Sequence, residues 1–165
     1  KIDANNVAIT GWSLGGGVSL FSGWNPVIKA INPQNNFAAH LPIYPPCFVK
    51  PKNIDFVTVP IHILIGELDT WTPANACVEL IDMYNLNSNQ GNIDISIYQN
   101  SHHSFDSGLP ETVIENGYSF TDCMFTLSED GVPLMNYVNI PMSTPNLQKI
   151  GFSYCASRGP IIVGL

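Results

Sequence analysis

The run Val7-Ala8-Ile9-Thr10-Gly11-Trp12-Ser13-Leu14-Gly15-Gly16-Gly17 constrains this chain more than any other. Residues that favour β-structure lead straight into Gly-x-Ser-x-Gly, and beyond the glycines the apolar residues Val18, Leu20 and Phe21 recur at helical spacing. Strand, tight turn carrying Ser13, then helix is the context that a nucleophile elbow requires. Gly11 and Gly15 are expected because such a turn brings two backbone segments so close that a Cβ at either position would clash. The bend projects Ser13 Oγ beyond the end of the sheet and leaves the Leu14 amide at a helix N-terminus. There its N–H and the helix dipole are placed to stabilise a developing oxyanion. The plainer alternative is a glycine-rich strand-to-helix turn whose serine only caps the helix.

Further strands follow at intervals. Phe37 to Tyr44 reads as a second buried strand, ended by Pro45-Pro46. Val59 to Gly66 is a near-continuous apolar run, the pattern of a parallel strand buried on both faces. Ile93 to Tyr98 alternates apolar and polar residues and suits a strand near the sheet's edge. His40 and His62 lie inside these runs and read as packed residues rather than ligands. Helices are expected at Leu14 to Ser22 and at Ala74 to Tyr84, the second with Thr72 as N-cap, Pro73 in the first turn and Cys77, Leu80, Ile81 and Tyr84 on one stripe. Val27 to Ile31 suits one helical turn, and Cys47 to Val57 a loop with Pro51 and Lys52 exposed. Asn32 to Asn36 and Asn85 to Asn92 carry turn chemistry. Strands joined by helical or long connections indicate a parallel α/β sheet. From Thr121 the character changes to a β-hairpin, with Asp122 to Leu127 and Val132 to Val138 as its arms. A short helix over Leu147 to Ala156 and a turn at Ser157 to Pro160 follow.

Length suits one domain. Acidic residues outnumber basic ones 13 to 6, a balance that excludes a phosphate-binding basic face and with it nucleic acid. No apolar run approaches the roughly 20 residues of a membrane span. The polar lead-in Lys1 to Asn6 runs directly into a buried strand, and the chain closes on the apolar Ile161 to Leu165. The expectation is one partial domain over residues 1–165, with N-terminal strands and a C-terminal helix lying outside this sequence.

A serine nucleophile needs a base to take its proton and an acid to hold that base in the right tautomer. In an open parallel sheet active groups collect at the C-terminal ends of strands. Three such ends carry suitable groups in order: Ser13, Asp69 and the pair His102-His103. Gly-Trp-Ser-Leu-Gly-Gly, Ile-Tyr-Pro-Pro-Cys, Pro-Ile-His-Ile-Leu-Ile-Gly-Glu-Leu-Asp-Thr-Trp-Thr-Pro and Tyr-Gln-Asn-Ser-His-His-Ser-Phe-Asp together resemble the dienelactone hydrolase-like branch of the α/β-hydrolase superfamily. The similarity runs from about Ile2 to Asp106 and more loosely into the cysteine-bearing tail. The resemblance implies an α/β-hydrolase fold, mostly parallel with flanking helices, here followed by the hairpin excursion. It implies Asp69 of Gly66-Glu67-Leu68-Asp69 as the acid and His103, before Ser104-Phe105-Asp106, as the base. Founding members carry a cysteine nucleophile; Ser13 makes this chain more similar to the serine esterases of the wider group.

Rival assignments remain. His102 is an alternative base, Asp106 an alternative acid or a loop anchor, and Glu67 a weaker acid. Trp12 and Trp71 flank Ser13 and the acid loop, either walling an acyl pocket or simply packing. Cys47 and Cys77 both fall near the sheet's C-terminal ends, and Cys123 and Cys155 bracket the hairpin region. That placement favours bridges Cys47–Cys77 and Cys123–Cys155 over buried free thiols. None of the cysteines or histidines shows metal-ligand spacing, so neither metal nor cofactor is expected. The reading is a serine hydrolase that cleaves a small-molecule carboxylic ester, in the periplasm or secreted if the bridges form and in the cytoplasm otherwise. A prolyl-oligopeptidase-type peptidase and a non-catalytic hydrolase-fold binding module are the alternatives.

Overall fold

The computed structural model describes residues 3–31, 33–34, 36–87, 92–135 and 138–165. The turns expected at Asn32–Asn36 and Asn85–Asn92, and the second hairpin arm, fall partly outside these residues. In chain order the elements are β1 (Ala8–Trp12), α1 (Leu14–Phe21), α2 (Asn25–Ile31), β2 (Ala39–Ile43), β3 (Val49–Pro51), β4 (Ile61–Gly66), α3 (Ala74–Asn87), β5 (Ile93–Tyr98), β6 (Thr112–Ser119), β7 (Phe125–Leu127), β8 (Pro133–Met135), α4 (Pro145–Ser153) and β9 (Ser157–Val163).

β1, β2, β4 and β5 form one sheet in that order, every neighbouring pair parallel. Parallel neighbours need crossover connections, and α1, α2 and α3 supply helical ones between β1 and β2 and between β4 and β5. Ile61, Ile63 and Ile65 of β4 are fully buried, whereas His62 and Leu64 are only partly covered. One face of β4 is therefore sealed and the other half open, which corrects the reading of a strand buried on both faces. His62 is accordingly not a core residue; its Nε2 lies 2.9 Å from Ser96 Oγ on β5. His40 is buried, its Nδ1 2.8 Å from Ser19 O on α1. On α3 the buried stripe is Cys77, Leu80, Ile81 and Tyr84, the spacing read from the sequence. Burying Leu80 or Ile81 contributes roughly 1.5–3 kcal/mol each.

The segment after Cys47 is not a plain loop. Its β3 pairs in parallel with β7, and β7 pairs antiparallel with β8, giving a second small sheet. Pro51, expected to be exposed, is fully buried there, while Lys52 is exposed. Lys50 is only 6% exposed and places its ammonium on Glu79 of α3. Ser157 to Pro160 is also not a turn: β9 runs antiparallel to β6, with a bulge between Ile114 and Gly117. Gly117 leaves room for Ile161 in that ribbon: a Cβ would sit 2.3 Å from Ile161 Cγ1 and force that side chain to move. A separate core of Phe48, Cys123, Phe125, Met135 and Met142, edged by Phe120 and Phe152, holds the hairpin and α4 together. Disulfides join Cys47 to Cys77, across to α3, and Cys123 to Cys155 within this second module.

Candidate active site

β1 ends at Trp12 and α1 begins at Leu14, so a single residue makes the turn. Ser13 makes it at φ 53°, ψ −116°, a combination that L-residues rarely adopt. Its amide donates to Ile43 O at 2.9 Å and its carbonyl accepts from Gly17 N at 3.0 Å. Its side chain makes no capping hydrogen bond to the helix, contrary to the plainer reading. The glycine requirement is redistributed. A Cβ on Gly11 would lie 2.2 Å from Gly15 O, and one on Gly16 would lie 2.5 Å from Ile43 O, but a Cβ on Gly15 would meet nothing within 4 Å. The tight approaches are β1 against the first turn of α1, and that turn against the end of β2. The Leu14 amide is the first N–H of α1 and has no intrahelical acceptor, as for any residue at that position.

Asp69 sits in the loop after β4 and is 4% exposed. Oδ1 accepts the Trp71 and Thr72 amides at 2.8 and 2.7 Å, and Oδ2 accepts the Thr72 hydroxyl at 2.8 Å. Thr72 therefore turns its side chain to the carboxylate, and α3 begins after Pro73 without it as a cap. The other Oδ2 neighbour is His103 Nδ1 at 2.7 Å, and His103 Nε2 lies 3.1 Å from Ser13 Oγ. Three strand-end loops thus deliver one unbroken chain of hydrogen-bonding atoms from a buried carboxylate to a serine hydroxyl.

Neighbouring segments hold the histidine loop. Glu67 N donates to Tyr98 O and Leu68 N to Ser101 O, each at 2.9 Å, and Glu67 Oε2 accepts the Asn100 amide at 3.1 Å. Gly66 lets these two loops close, since a Cβ would lie 2.3 Å from Ser101 O. The end of β9 braces the loop from outside: Gly164 N donates to His103 O at 2.8 Å and His102 N to Gly164 O at 3.2 Å. No local signal in the sequence foretold that brace.

The rival residues lie elsewhere. His102 puts Nε2 3.6 Å from Glu111 Oε1. Asp106 does not reach His103 Nδ1; its carboxylate accepts the Trp12 indole N–H and the Tyr44 hydroxyl. Trp71 places its ring centroid 5.0 Å from that of His103, while Trp12 is 50% exposed beside Ser13. Tyr44 was not singled out from the sequence, yet its ring lies 4.5 Å from His103. Burial pushes its phenol well above the usual tyrosine range, and the Asp106 carboxylate adds to the shift. Among the described residues no group of His, Cys, Asp and Glu is arranged to hold a metal ion, and no helix is long and apolar enough to cross a membrane. A cavity of about 510 Å³ opens between β8 and α4; none of Ser13, Asp69 and His103 lines it.

A model of the dienelactone hydrolase family matches residues 1–120. No curated protein matches the chain. Similar solved structures include a candidate dienelactone hydrolase from Klebsiella pneumoniae subsp. pneumoniae MGH 78578, at 21% identity and TM-score 0.44, covering 64% of this chain and 43% of that one. MGS-M1, an alpha/beta hydrolase enzyme from a Medee basin deep-sea metagenome library, is similar at 14% identity and TM-score 0.46, covering 66% and 44%. The Pyrococcus furiosus esterase Pf2001 is similar at 13% identity and TM-score 0.44, covering 60% and 45%. The chain spans less than half the length of each of these proteins.

Proposed function

Because the chain belongs to the dienelactone hydrolase family, we propose that it is the part of a serine hydrolase that carries the nucleophile, base and acid for cleaving a carboxylic ester. One observation carries this reading: Ser13 Oγ lies 3.1 Å from His103 Nε2, and His103 Nδ1 lies 2.7 Å from Asp69 Oδ2, so the three side chains follow one another in hydrogen-bond contact. Asp69, its other lone pairs occupied by Trp71, Thr72 and the Thr72 hydroxyl, holds the proton of His103 on Nδ1 and leaves Nε2 free to accept.

The reaction then runs in two halves. Ser13 Oγ attacks the ester carbonyl carbon as its proton passes to His103 Nε2. Negative charge gathers on the carbonyl oxygen, where the Leu14 N–H donates at the positive end of α1. Collapse expels the alcohol, which takes the proton back from Nε2, and leaves the acyl group on Ser13. Water, deprotonated at Nε2, attacks that acyl carbon, and as the acyl–Oγ bond breaks the proton passes from Nε2 to Ser13 Oγ, which frees the acid and restores the hydroxyl. Trp12, half exposed beside the nucleophile, offers an apolar wall for the acyl or alkyl group, and Trp71 buttresses the imidazole. Two disulfides suit an oxidising compartment, so we place the protein in the periplasm or outside the cell.

The test is covalent. A fluorophosphonate should add one label, located on Ser13 by peptide mass, and Ser13→Ala should lose both label and p-nitrophenyl ester hydrolysis. Labelling of another residue, or hydrolysis undiminished in Ser13→Ala, refutes the assignment.

A further inference from the structure

Asp106 lies three residues beyond His103, in the short 3-10 turn Phe105–Ser107. A carboxylate serving only its own loop would accept amides of that loop. Both oxygens of Asp106 instead reach distant parts of the chain: Oδ1 accepts the Tyr44 hydroxyl at 2.9 Å, and Oδ2 accepts the Trp12 indole N–H, partners 62 and 94 residues away. Trp12 is the last residue of β1 and adjoins Ser13, and Tyr44 directly follows β2. One carboxylate therefore joins the strand of the nucleophile, the strand beside it and the loop of the base.

Tyr44 is the sensitive member of this junction. Its ring lies against the His103 imidazole, centroids 4.5 Å apart at 56°, and edge-on to Phe105 at 5.8 Å. It holds φ at 37°, a conformation that bulky L-residues avoid unless their surroundings impose it. Tyr44 is held at both ends: Leu64 O accepts its amide at 2.7 Å, and the Asp106 carboxylate accepts its hydroxyl. The phenol, pushed up by burial, keeps its proton and stays a donor. Ser13 and Ser104 also hold positive φ, so unusual backbone clusters at the serine, the base loop and Tyr44.

We propose that Asp106 is a positioning residue for the base: by binding Tyr44 and Trp12 together it fixes the Tyr44 ring against His103 and locks the His103 loop to the Ser13 elbow. Asp106 touches no reacting atom. It acts by keeping Nε2 within hydrogen-bond distance of Oγ, and the proposal rests on the Ser13–His103–Asp69 reading.

The experiment measures hydrolysis of p-nitrophenyl butyrate per active site, with sites counted by fluorophosphonate labelling run to completion, so that unfolded molecules drop out. Asp106→Ala should lower kcat per labelled site by about 10- to 100-fold, the scale set by misplacing a catalytic group by around an ångström. KM should stay within about two-fold in Tyr44→Phe, which leaves Trp12 bound to Asp106 and removes only the hydroxyl beneath the imidazole. Asp106→Asn, which keeps an acceptor for one donor, should recover part of the loss. Tyr44→Phe should lower kcat alone but cause no further loss on top of Asp106→Ala, because the hydroxyl acts through that carboxylate. A kcat per labelled site in Asp106→Ala within about two-fold of wild type overturns the proposal, as does a double variant in which the two losses multiply. Should the alanine variant not fold, Tyr44→Phe carries the test, and a kcat per labelled site within about two-fold of wild type overturns the proposal. Hydrolysis that survives Ser13→Ala would instead overturn the underlying assignment, and that result is separable from any obtained at Asp106.

Discussion

Asp69→Asn keeps the shape of the buried acid and changes only what its atoms can do. Asparagine has one acceptor oxygen, and the Trp71 and Thr72 amides at 2.8 and 2.7 Å claim it at the Oδ1 position. That places the amide nitrogen, a donor, 2.7 Å from His103 Nδ1. Nδ1 must then accept, so the ring proton moves to Nε2, the atom 3.1 Å from Ser13 Oγ. An N–H at that position donates to the hydroxyl instead of receiving its proton. The expected fall in kcat is about ten-thousand-fold, the size associated with holding the base in the wrong tautomer. At about 1.36 kcal/mol per decade this is roughly 5 kcal/mol of barrier. The fold should lose far less, about 1–2 kcal/mol, because the two amide bonds at the Oδ1 position become neutral without losing their partners and the Thr72 hydroxyl, now facing an N–H, accepts instead of donating. Asp69→Ala differs in kind: it strands two amides, a hydroxyl and the imidazole N–H in a buried site, at about 1–3 kcal/mol each. The assay pairs p-nitrophenyl ester turnover with thermal melting. An Asp69→Asn protein that melts normally and turns over within about tenfold of wild type would refute the argument.

Gly16→Ala should destabilise the elbow by about 1–3 kcal/mol, since its Cβ would meet Ile43 O at 2.5 Å, whereas Gly15→Ala, with open space, should melt no lower than wild type; equal melting of the two variants would contradict this. Intact mass before and after reduction should reveal four cysteines alkylated only after reduction. Removing Cys47–Cys77, which closes a 30-residue separation, should cost about 3–4 kcal/mol in the chain-entropy picture, read by denaturant unfolding. Burial lowers the His40 pKa below 6.5, only partly offset by the hydrogen bond to Ser19 O, so as pH falls through that value the unfolded chain takes up the proton first and stability drops. His40→Gln should therefore lose less melting temperature between pH 7 and pH 5 than wild type does, and parallel losses would count against the burial of a neutral imidazole.

The amino-acid sequence by itself determined the parts whose causes are local. Gly11-x-Ser13 bends a strand into a helix within a single residue, and the apolar periods of β4 and α3 follow from which residues must leave water. Ser13, Asp69 and His103 could be singled out as candidates because each lies just beyond such a strand, where a parallel sheet presents its loops on one side. Tertiary structure decided everything that depends on pairing between distant segments. Ser157 to Pro160 has turn composition, yet it is a strand because β6 offers a partner and Gly117 makes room for Ile161. Val49 to Pro51 looks like loop until β7, more than seventy residues onward by the Val49↔Phe125 register, pairs with it and buries Pro51. Gly16 rather than Gly15 carries the steric requirement because the obstructing atom, Ile43 O, belongs to another strand. Asp106, three residues from His103, could be named as a local anchor from the sequence, but its actual donors, Trp12 and Tyr44, were brought to it by the parallel order of β1 and β2. Strand formation and side-chain partnership of this kind depend on what lies across the gap, and a residue's own propensity says little about that.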